Sequence, residues 1–119
     1  MIQITPHMRI YLCLEATDFR KGIDGLCCVC RQVLHKDPFS GSMFIFRNKR
    51  RTTLKIIVYD GQGYWMLVKR LSKGRFRWWP DMTGDSSVIL TAPQLQLLIY
   101  NRDVSSASIG SDWRRIIQN

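Results

Sequence analysis

Residues 42–71 read SMFIFRNKRRTTLKIIVYDGQGYWMLVKRL, and the spacing of apolar residues in this stretch decides which fold the chain can adopt. Three runs rich in β-branched and aromatic residues, at 42–48, 52–60 and 64–71, alternate between the two sides of an extended chain. A charged turn separates the first two runs. The last two are joined by Asp60–Gly63, an Asp-Gly turn of the kind that closes β-hairpins. The stretch therefore predicts three consecutive antiparallel strands.

The next segment, KRLSKGRFRWWP at residues 69–80, contains five basic and three aromatic residues but no acid. Its glycine suits the turn of a hairpin, and RFRWW alternates as a strand does, so we predict a fourth strand over residues 75–79. Alternation in that strand places Phe76 and Trp78 on a core face. It places Arg75, Arg77 and Trp79 on the outer face.

One strand and two helices are predicted outside this meander. Residues 8–15 alternate and are rich in strand-forming residues. Residues 17–37 carry apolar residues at three- and four-residue spacing, which predicts an amphipathic helix that begins at Thr17 or Asp18. A second helix is predicted over residues 90–103, because a threonine cap and an early proline precede apolar residues at helical spacing.

These elements predict an α+β fold, in which an antiparallel β-meander and an N-terminal strand form a sheet with two helices packed on it. We expect both helices on one face of the sheet. A chain of 119 residues forms one domain by length, which we place at residues 1–103. The Ser-rich residues 104–119 are predicted to be a partly mobile tail.

The composition indicates a protein of the cytoplasm. Hydrophobic residues make up 45% and charged residues 23% of the chain, as in soluble globular proteins. No apolar run approaches the roughly 20 residues of a membrane span. The N-terminus also lacks the basic and apolar regions of a signal peptide, so we expect no membrane association.

The four cysteines are predicted to be small core residues. Cys27 and Cys30 have C-x-x-C spacing, but the chain has no second such pair, and both lie on the apolar face of the first predicted helix. A redox or metal role and a disulfide remain as alternatives, of which a disulfide is disfavoured in the cytosol. We therefore expect neither a metal nor a cofactor.

The positive charge of the chain is concentrated in its central third. Residues 43–79 hold ten Lys and Arg residues and one acid, Asp60, so their net charge is +9, while the other residues sum to zero. Such an asymmetry indicates a polyanionic partner, most often nucleic acid, although a basic face kept for solubility is the alternative.

These charges predict a basic surface on the meander that holds phosphates and positions a duplex. In this interpretation Arg75 and Arg77 bind phosphates, and Trp79, on the same face, stacks on an unpaired base. The candidate nucleic-acid-binding residues are Arg47, Lys49, Arg50, Arg51, Lys55, Lys69, Arg70, Lys73, Arg75, Arg77 and Trp79.

No pattern of catalytic residues is present. The nine acids include no D-x-D or H-x-E pair of the kind that a two-metal nuclease would use. The turn DGQG lacks the Lys-Ser/Thr and the helix that follow a phosphate-binding loop. We therefore expect no enzymatic activity in this chain.

Five segments, in order, resemble a known family: TDFRKGIDGL, DPFSGSMFIFRNKRR, LKIIVYDGQGYWMLVKRLSKGRFRWWP, LTAPQLQLL and DWRR. They are similar to the small accessory transposition proteins, often called TnpB, of insertion-sequence family sixty-six. The resemblance spans residues 10–115. The chain departs from the family pattern by its Trp78–Trp79 pair, where one tryptophan is usual, and by a longer link before DWRR.

The resemblance implies a non-catalytic accessory role in DNA transposition in the bacterial cytoplasm, at the nucleoid when bound to DNA. Its implied partners are a separate transposase and a second small protein of the same element, and it supplies no catalytic residues. Two functions remain open: a DNA-binding protein, or an adaptor that joins those partners through an exposed edge strand or through DWRR. The sequence does not decide the oligomeric state, a homo-oligomer included.

Overall fold

The structure is a computed structural model that describes residues 8–82 and 84–102. Its elements, in chain order, are β1 (Ile10–Cys13), α1 (Ile23–Gln32), β2 (Met43–Arg47), β3 (Thr53–Tyr59), β4 (Tyr64–Arg70), β5 (Ser87–Leu90) and α2 (Ala92–Ile99). The predicted tail over residues 104–119 lies outside the described residues. Within them, no helix is both long and apolar enough to cross a membrane.

The strands form one mixed sheet in the order β4-β3-β2-β1-β5. Strands β2, β3 and β4 are consecutive antiparallel neighbours, as the alternating runs predict. Strand β1 lies parallel to β2, because α1 crosses over the sheet between them, and it pairs antiparallel with β5 on its other side. The α+β class is confirmed, but the sheet is not a simple meander.

Each face of the sheet buries its own apolar cluster beneath one helix. Helix α1 covers a cluster that includes Tyr11, Phe44 and Ile57. Helix α2 covers the opposite face, where Leu12 and Ile45 lie. The expectation that both helices share one face is therefore wrong. Strands β1 and β2 are apolar on both sides, and a sheet of that kind needs cover on both.

Residues 75–79 do not form the predicted fourth strand, and they cross the α2 face as an extended segment without a strand partner among the described residues. Phe76 is buried there as predicted, and its backbone N–H donates to the carbonyl of Arg51 at 2.8 Å. Trp79 is also buried, and Trp78 is half-buried against the same cluster. The strand that does complete the sheet, β5, was not predicted.

The two helices begin differently from one another. Helix α1 begins several residues after the predicted start, and Gly22 is its N-cap. Asp18 instead accepts hydrogen bonds from the backbone and side chain of Arg20. Helix α2 begins as predicted, because Thr91 and Gln94 cap one another: each side chain accepts the other's backbone N–H, at 3.2 and 2.8 Å respectively.

Candidate nucleic-acid interface

The β2–β3 turn and the segment after β4 lie side by side at one end of the sheet. The backbone N–H of Leu71 donates to the carbonyl of Thr52 at 2.9 Å, which extends the β3–β4 ladder beyond the strand ends. The bond from Phe76 to Arg51 then ties the returning segment to the same turn. Two stretches of chain that are both rich in Lys and Arg are thereby brought together.

Six exposed cationic side chains gather at this end of the sheet, which we call the basic end: Lys49, Arg50, Arg70, Lys73, Arg75 and Arg77. In the part of the chain that the structure describes, none of the six forms an ion pair. Their charge is consequently not offset there by an acid in contact with them. Arg51 lies in the same turn but is half-buried.

Asn48 fixes the shape of the β2–β3 turn. Its Oδ1 accepts the backbone N–H groups of Thr52 and Thr53 at 2.9 and 3.1 Å, and its Nδ2 donates to the Thr52 hydroxyl at 2.8 Å. Arg51 takes a left-handed conformation with φ of 59° to close the turn. Sequence reasoning did not single out Asn48, although Asn immediately after a strand is a common turn residue.

Asn101 holds the second basic segment from the other side. Its Oδ1 accepts the backbone N–H of Arg77 at 2.8 Å, and its Nδ2 donates to the carbonyl of Arg75 at 3.0 Å. Both bonds involve backbone groups, so the two arginine side chains remain exposed. No local sequence signal identifies this contact, because Asn101 lies 24 and 26 residues further along the chain.

Two predicted site residues, Lys55 and Lys69, lie on opposite faces of the sheet. Register places Lys55 opposite Val68 and Leu54 opposite Lys69, so the two lysines point apart. The Lys55 ammonium donates to the carbonyl of Phe19 at 3.1 Å. The candidate residues therefore do not lie on a single face of the sheet. The exposed ones lie together at the basic end.

Lys69 instead stabilises the end of helix α2. Its ammonium donates to the carbonyl of Ile99 and lies 5.5 Å from the ring centre of Tyr100. A cation at a helix C-terminus interacts favourably with the helix dipole. This contact gives Lys69 a structural role that charge counting did not reveal.

Arg47 and Trp79 contact one another inside the fold. The Arg47 guanidinium lies 5.5 Å from the centre of the Trp79 ring, and burial lowers the pKa of Arg47. The Trp79 side chain is only 6% exposed, and its indole N–H lies 3.2 Å from the carbonyls of Cys13 and Leu14. The predicted stacking of Trp79 on an unpaired base is therefore wrong, because its ring is already packed.

The loop after β1 contains an acid, Asp18, and is bonded to the end of β2. The backbone N–H of Thr17 donates to the carbonyl of Arg47 at 2.9 Å. Asp18 pairs with Arg20 at 2.8 Å, and the hydrogen bonds from that side chain lower the pKa of Asp18 to about 2. Its negative charge is therefore already matched by Arg20.

No metal site accompanies these residues within residues 8–82 and 84–102, where no three His, Cys, Asp or Glu side chains could hold an ion. Cys27 and Cys30 lie on the buried side of α1, as predicted for core residues, and Cys13 of β1 is buried in the same cluster. All four cysteines are free thiols. Cys28 is exposed, so the prediction of a core position is wrong for this cysteine. Burial raises the pKa of Cys30 to about 12 and also raises that of Cys13.

We expect Cys28 to be the single thiol of the folded protein that reacts rapidly with a disulfide reagent at mildly alkaline pH. Thiolates are the reacting species, and burial keeps the reagent away from the other three cysteines. Burial also disfavours the thiolate of Cys13 and of Cys30, because it raises the pKa of both. The number of rapidly reacting thiols is measured from the release of chromophore over time in buffer. The same reaction in concentrated denaturant gives the total number of thiols. Cys28→Ser should abolish the fast phase. A fast phase equivalent to two or more thiols in the native wild-type chain would contradict the burial described.

The chain is similar to known proteins over nearly its whole length. The family model described as "IS66 Orf2 like protein" matches residues 8–108. Two proteins of Sinorhizobium fredii (strain NBRC 101917 / NGR234), "Uncharacterized protein y4hO" and "Uncharacterized protein y4jC", are 32% and 31% identical to it. These alignments cover 96% and 98% of this chain and 90% of each relative.

No solved structure matches the chain. The family match covers the first four of the five segments that carried the resemblance, and so confirms it. The chain therefore belongs to the IS66 Orf2-like family, whose members are accessory proteins of transposition.

Proposed function

We propose that this accessory protein acts without catalysis, by binding DNA through its basic end. The observation that carries the proposal is the gathering of six exposed Lys and Arg side chains, from both sequence segments, at one end of the sheet. Cations that have no acid in contact remain available to a polyanion, and each one that meets a phosphate releases a counterion from the duplex.

The chemistry of the basic end favours contact with the phosphate backbone over reading of bases. Four of its six side chains are arginines, whose planar guanidinium groups bind phosphate oxygens with two hydrogen bonds. Among the described residues, this end presents turns and an extended segment rather than a helix that could enter a groove. Contacts of this kind position a duplex without specifying sequence. DNA held in this way would be presented to the element's transposase and to its second small protein.

A salt series tests the proposal. Binding of the full chain to an element-end duplex and to a random duplex of equal length is measured by fluorescence anisotropy at increasing salt. If all six cations contact phosphates, the logarithm of the affinity falls against that of the salt concentration with a slope of about −5. Similar slopes on both duplexes are expected. No detectable binding to either duplex at low salt would overturn the proposal.

An adaptor without direct DNA contact is the second candidate, and one observation favours it. Four consecutive apolar residues of the edge strand β4, Trp65–Val68, are exposed. Exposed apolar surface on an edge strand is typical of protein–protein contacts. If the salt series shows no binding to DNA, titration of the chain with purified transposase by calorimetry distinguishes an adaptor from a protein with neither function.

A further inference from the structure

Strand β4 forms one edge of the sheet, since β3 is its only neighbour in the described part of the chain. Its four central residues expose large parts of their side chains: Trp65 42%, Met66 37%, Leu67 47% and Val68 54%. Edge strands in soluble proteins are usually protected from pairing by charges, prolines, bulges or a covering element. These four residues include neither a charge nor a proline.

The exposed side chains lie on both sides of the strand. Trp65 and Leu67 lie on the side of α2, because they pair with Val58 and Ile56 in the β3–β4 ladder. Met66 and Val68 lie on the side of α1. The edge strand of another sheet could pair with β4 and contact the exposed apolar side chains on both of its faces.

The hydrogen bonds of the β3–β4 ladder show which backbone groups of β4 remain available. Asp60 donates to the carbonyl of Gly63, and Leu71 donates to the carbonyl of Thr52, so the odd-numbered residues of this hairpin arm bond to β3. The even-numbered residues direct their N–H and C=O groups outward, because these directions alternate along an antiparallel strand. They are Tyr64, Met66, Val68 and Arg70.

We infer that a second copy of the chain pairs with this edge, β4 against β4 and antiparallel, about a two-fold axis at Leu67. In this register each Leu67 faces its counterpart, and Met66 lies opposite Val68 of the second copy. All four outward-directed residues then find partners. A two-fold interface must be self-complementary, and an antiparallel strand pair satisfies that condition. The two five-stranded sheets become one of ten strands.

The distribution of charge favours a second copy in this orientation. Arg70 at the end of each β4 lies opposite Tyr64 of the other copy, and no cation of the two β4 strands faces a cation across the axis. The loop that holds Lys73 then runs alongside the Asp60–Gly63 turn of the other copy, and Asp60 is the single acid between residues 43 and 79. Parallel pairing would instead place Arg70 beside Arg70.

The size of the patch indicates the strength of the dimer. Stable interfaces bury about 800 Å² on each partner. The patch consists of four half-exposed side chains on one strand of seven residues, so the interface it forms is small. A dimer whose population depends on concentration is therefore expected. The basic ends lie at opposite ends of the paired strands, so dimerisation does not depend on DNA binding.

Sedimentation equilibrium of the full chain over a concentration series, without DNA, tests the inference. The wild-type chain is expected to convert from monomer to dimer as concentration rises. Leu67→Glu and Leu67→Lys should each be monomeric, because they place like charges together on the axis. A mixture of the two should restore the dimer, since Glu then faces Lys.

Proline variants provide the matched control. Val68→Pro removes an outward-directed N–H at the β4 edge, and Ile89→Pro does the same at the opposite edge of the sheet, where Ile89 is 61% exposed. Val68→Pro should be a folded monomer by circular dichroism, and Ile89→Pro should still dimerise. A wild-type chain that stays monomeric at every concentration would overturn the inference and leave the edge to a strand of another protein. Dimers that survive both Leu67→Glu and Val68→Pro would overturn it as well.

Discussion

Replacing Arg75 and Arg77 together with alanine is expected to weaken binding to duplex DNA by roughly 10- to 100-fold at low salt. Two phosphate contacts of about 0.7–1.4 kcal/mol each account for a decrease of that size. Removing each phosphate interaction should also reduce the magnitude of the salt slope by about one. Anisotropy titrations of the variant and the wild type on the same duplex measure both quantities.

The fold should not change in this variant, because both side chains are exposed and Asn101 binds the backbone of the two arginines rather than their guanidinium groups. The matched control also removes two positive charges, but from arginines outside the basic end. Arg9 precedes β1 at the opposite end of the sheet, and Arg31 lies near Phe39 at the end of α1. If Arg9→Ala with Arg31→Ala weakened binding as much, net charge rather than the basic end would be responsible.

Replacing Trp79 with alanine is expected to reduce the free energy of unfolding by about 3–5 kcal/mol, as large-to-small changes of buried aromatic residues do. Trp79 is part of the apolar cluster beneath α2, where its indole N–H donates to the carbonyl of Cys13 at the end of β1. Its ring also packs against the Arg47 guanidinium. Trp79→Phe keeps most of the ring but removes the indole N–H, so its cost should be smaller, about 1–3 kcal/mol. Urea denaturation followed by circular dichroism measures both.

The control for this prediction is Met82→Ala in the same segment, where the side chain is 60% exposed and the expected change is within about 0.5 kcal/mol. Trp79→Phe should also bind DNA as the wild type does, since its ring lies inside the fold. Equal stabilities of Trp79→Ala and Met82→Ala would contradict the packing described. A Trp79→Phe chain that is folded by circular dichroism but does not bind DNA would restore a direct role for this residue.

The sequence predicts the central strands well because their alternation and turns are local. It fails where contacts between distant residues decide the structure. RFRWW alternates like a strand, yet Asn101 and the carbonyls at the end of β1 hold it as an extended segment and draw Trp79 inward. Strand β5 has only four residues, too short a run to stand out beside longer ones.

The placement of the helices contained a signal that was missed. All four residues of Met43–Phe46 are buried, and they form a continuous apolar run rather than an alternating one. Runs of that kind indicate a strand covered on both faces, often in parallel pairing, and so they favour a helix on each side. Strand β4, in contrast, leaves the side chains of Trp65–Val68 exposed on both of its faces.

The charge pattern predicted which part of the chain is basic but not which cations are exposed. In the β3–β4 hairpin the register pairs odd-numbered with even-numbered residues, so Lys55 and Lys69 had to lie on opposite faces. The turn at Asp60–Gly63 fixes that register, so its position in the sequence already indicates that the two lysines lie on opposite faces. The contacts of Lys69 with α2 could not have been foreseen, because they depend on packing across the sheet.

Mapping of amide chemical shifts during titration of the isotopically labelled chain with a short duplex tests the central claim most directly. Binding through the basic end predicts that the largest changes occur in the β2–β3 turn and in residues 70–77. Residues 39–42, which precede β2 at the opposite end of the sheet, should change little. Largest changes there or along α1, with the basic end unaffected, would contradict the account.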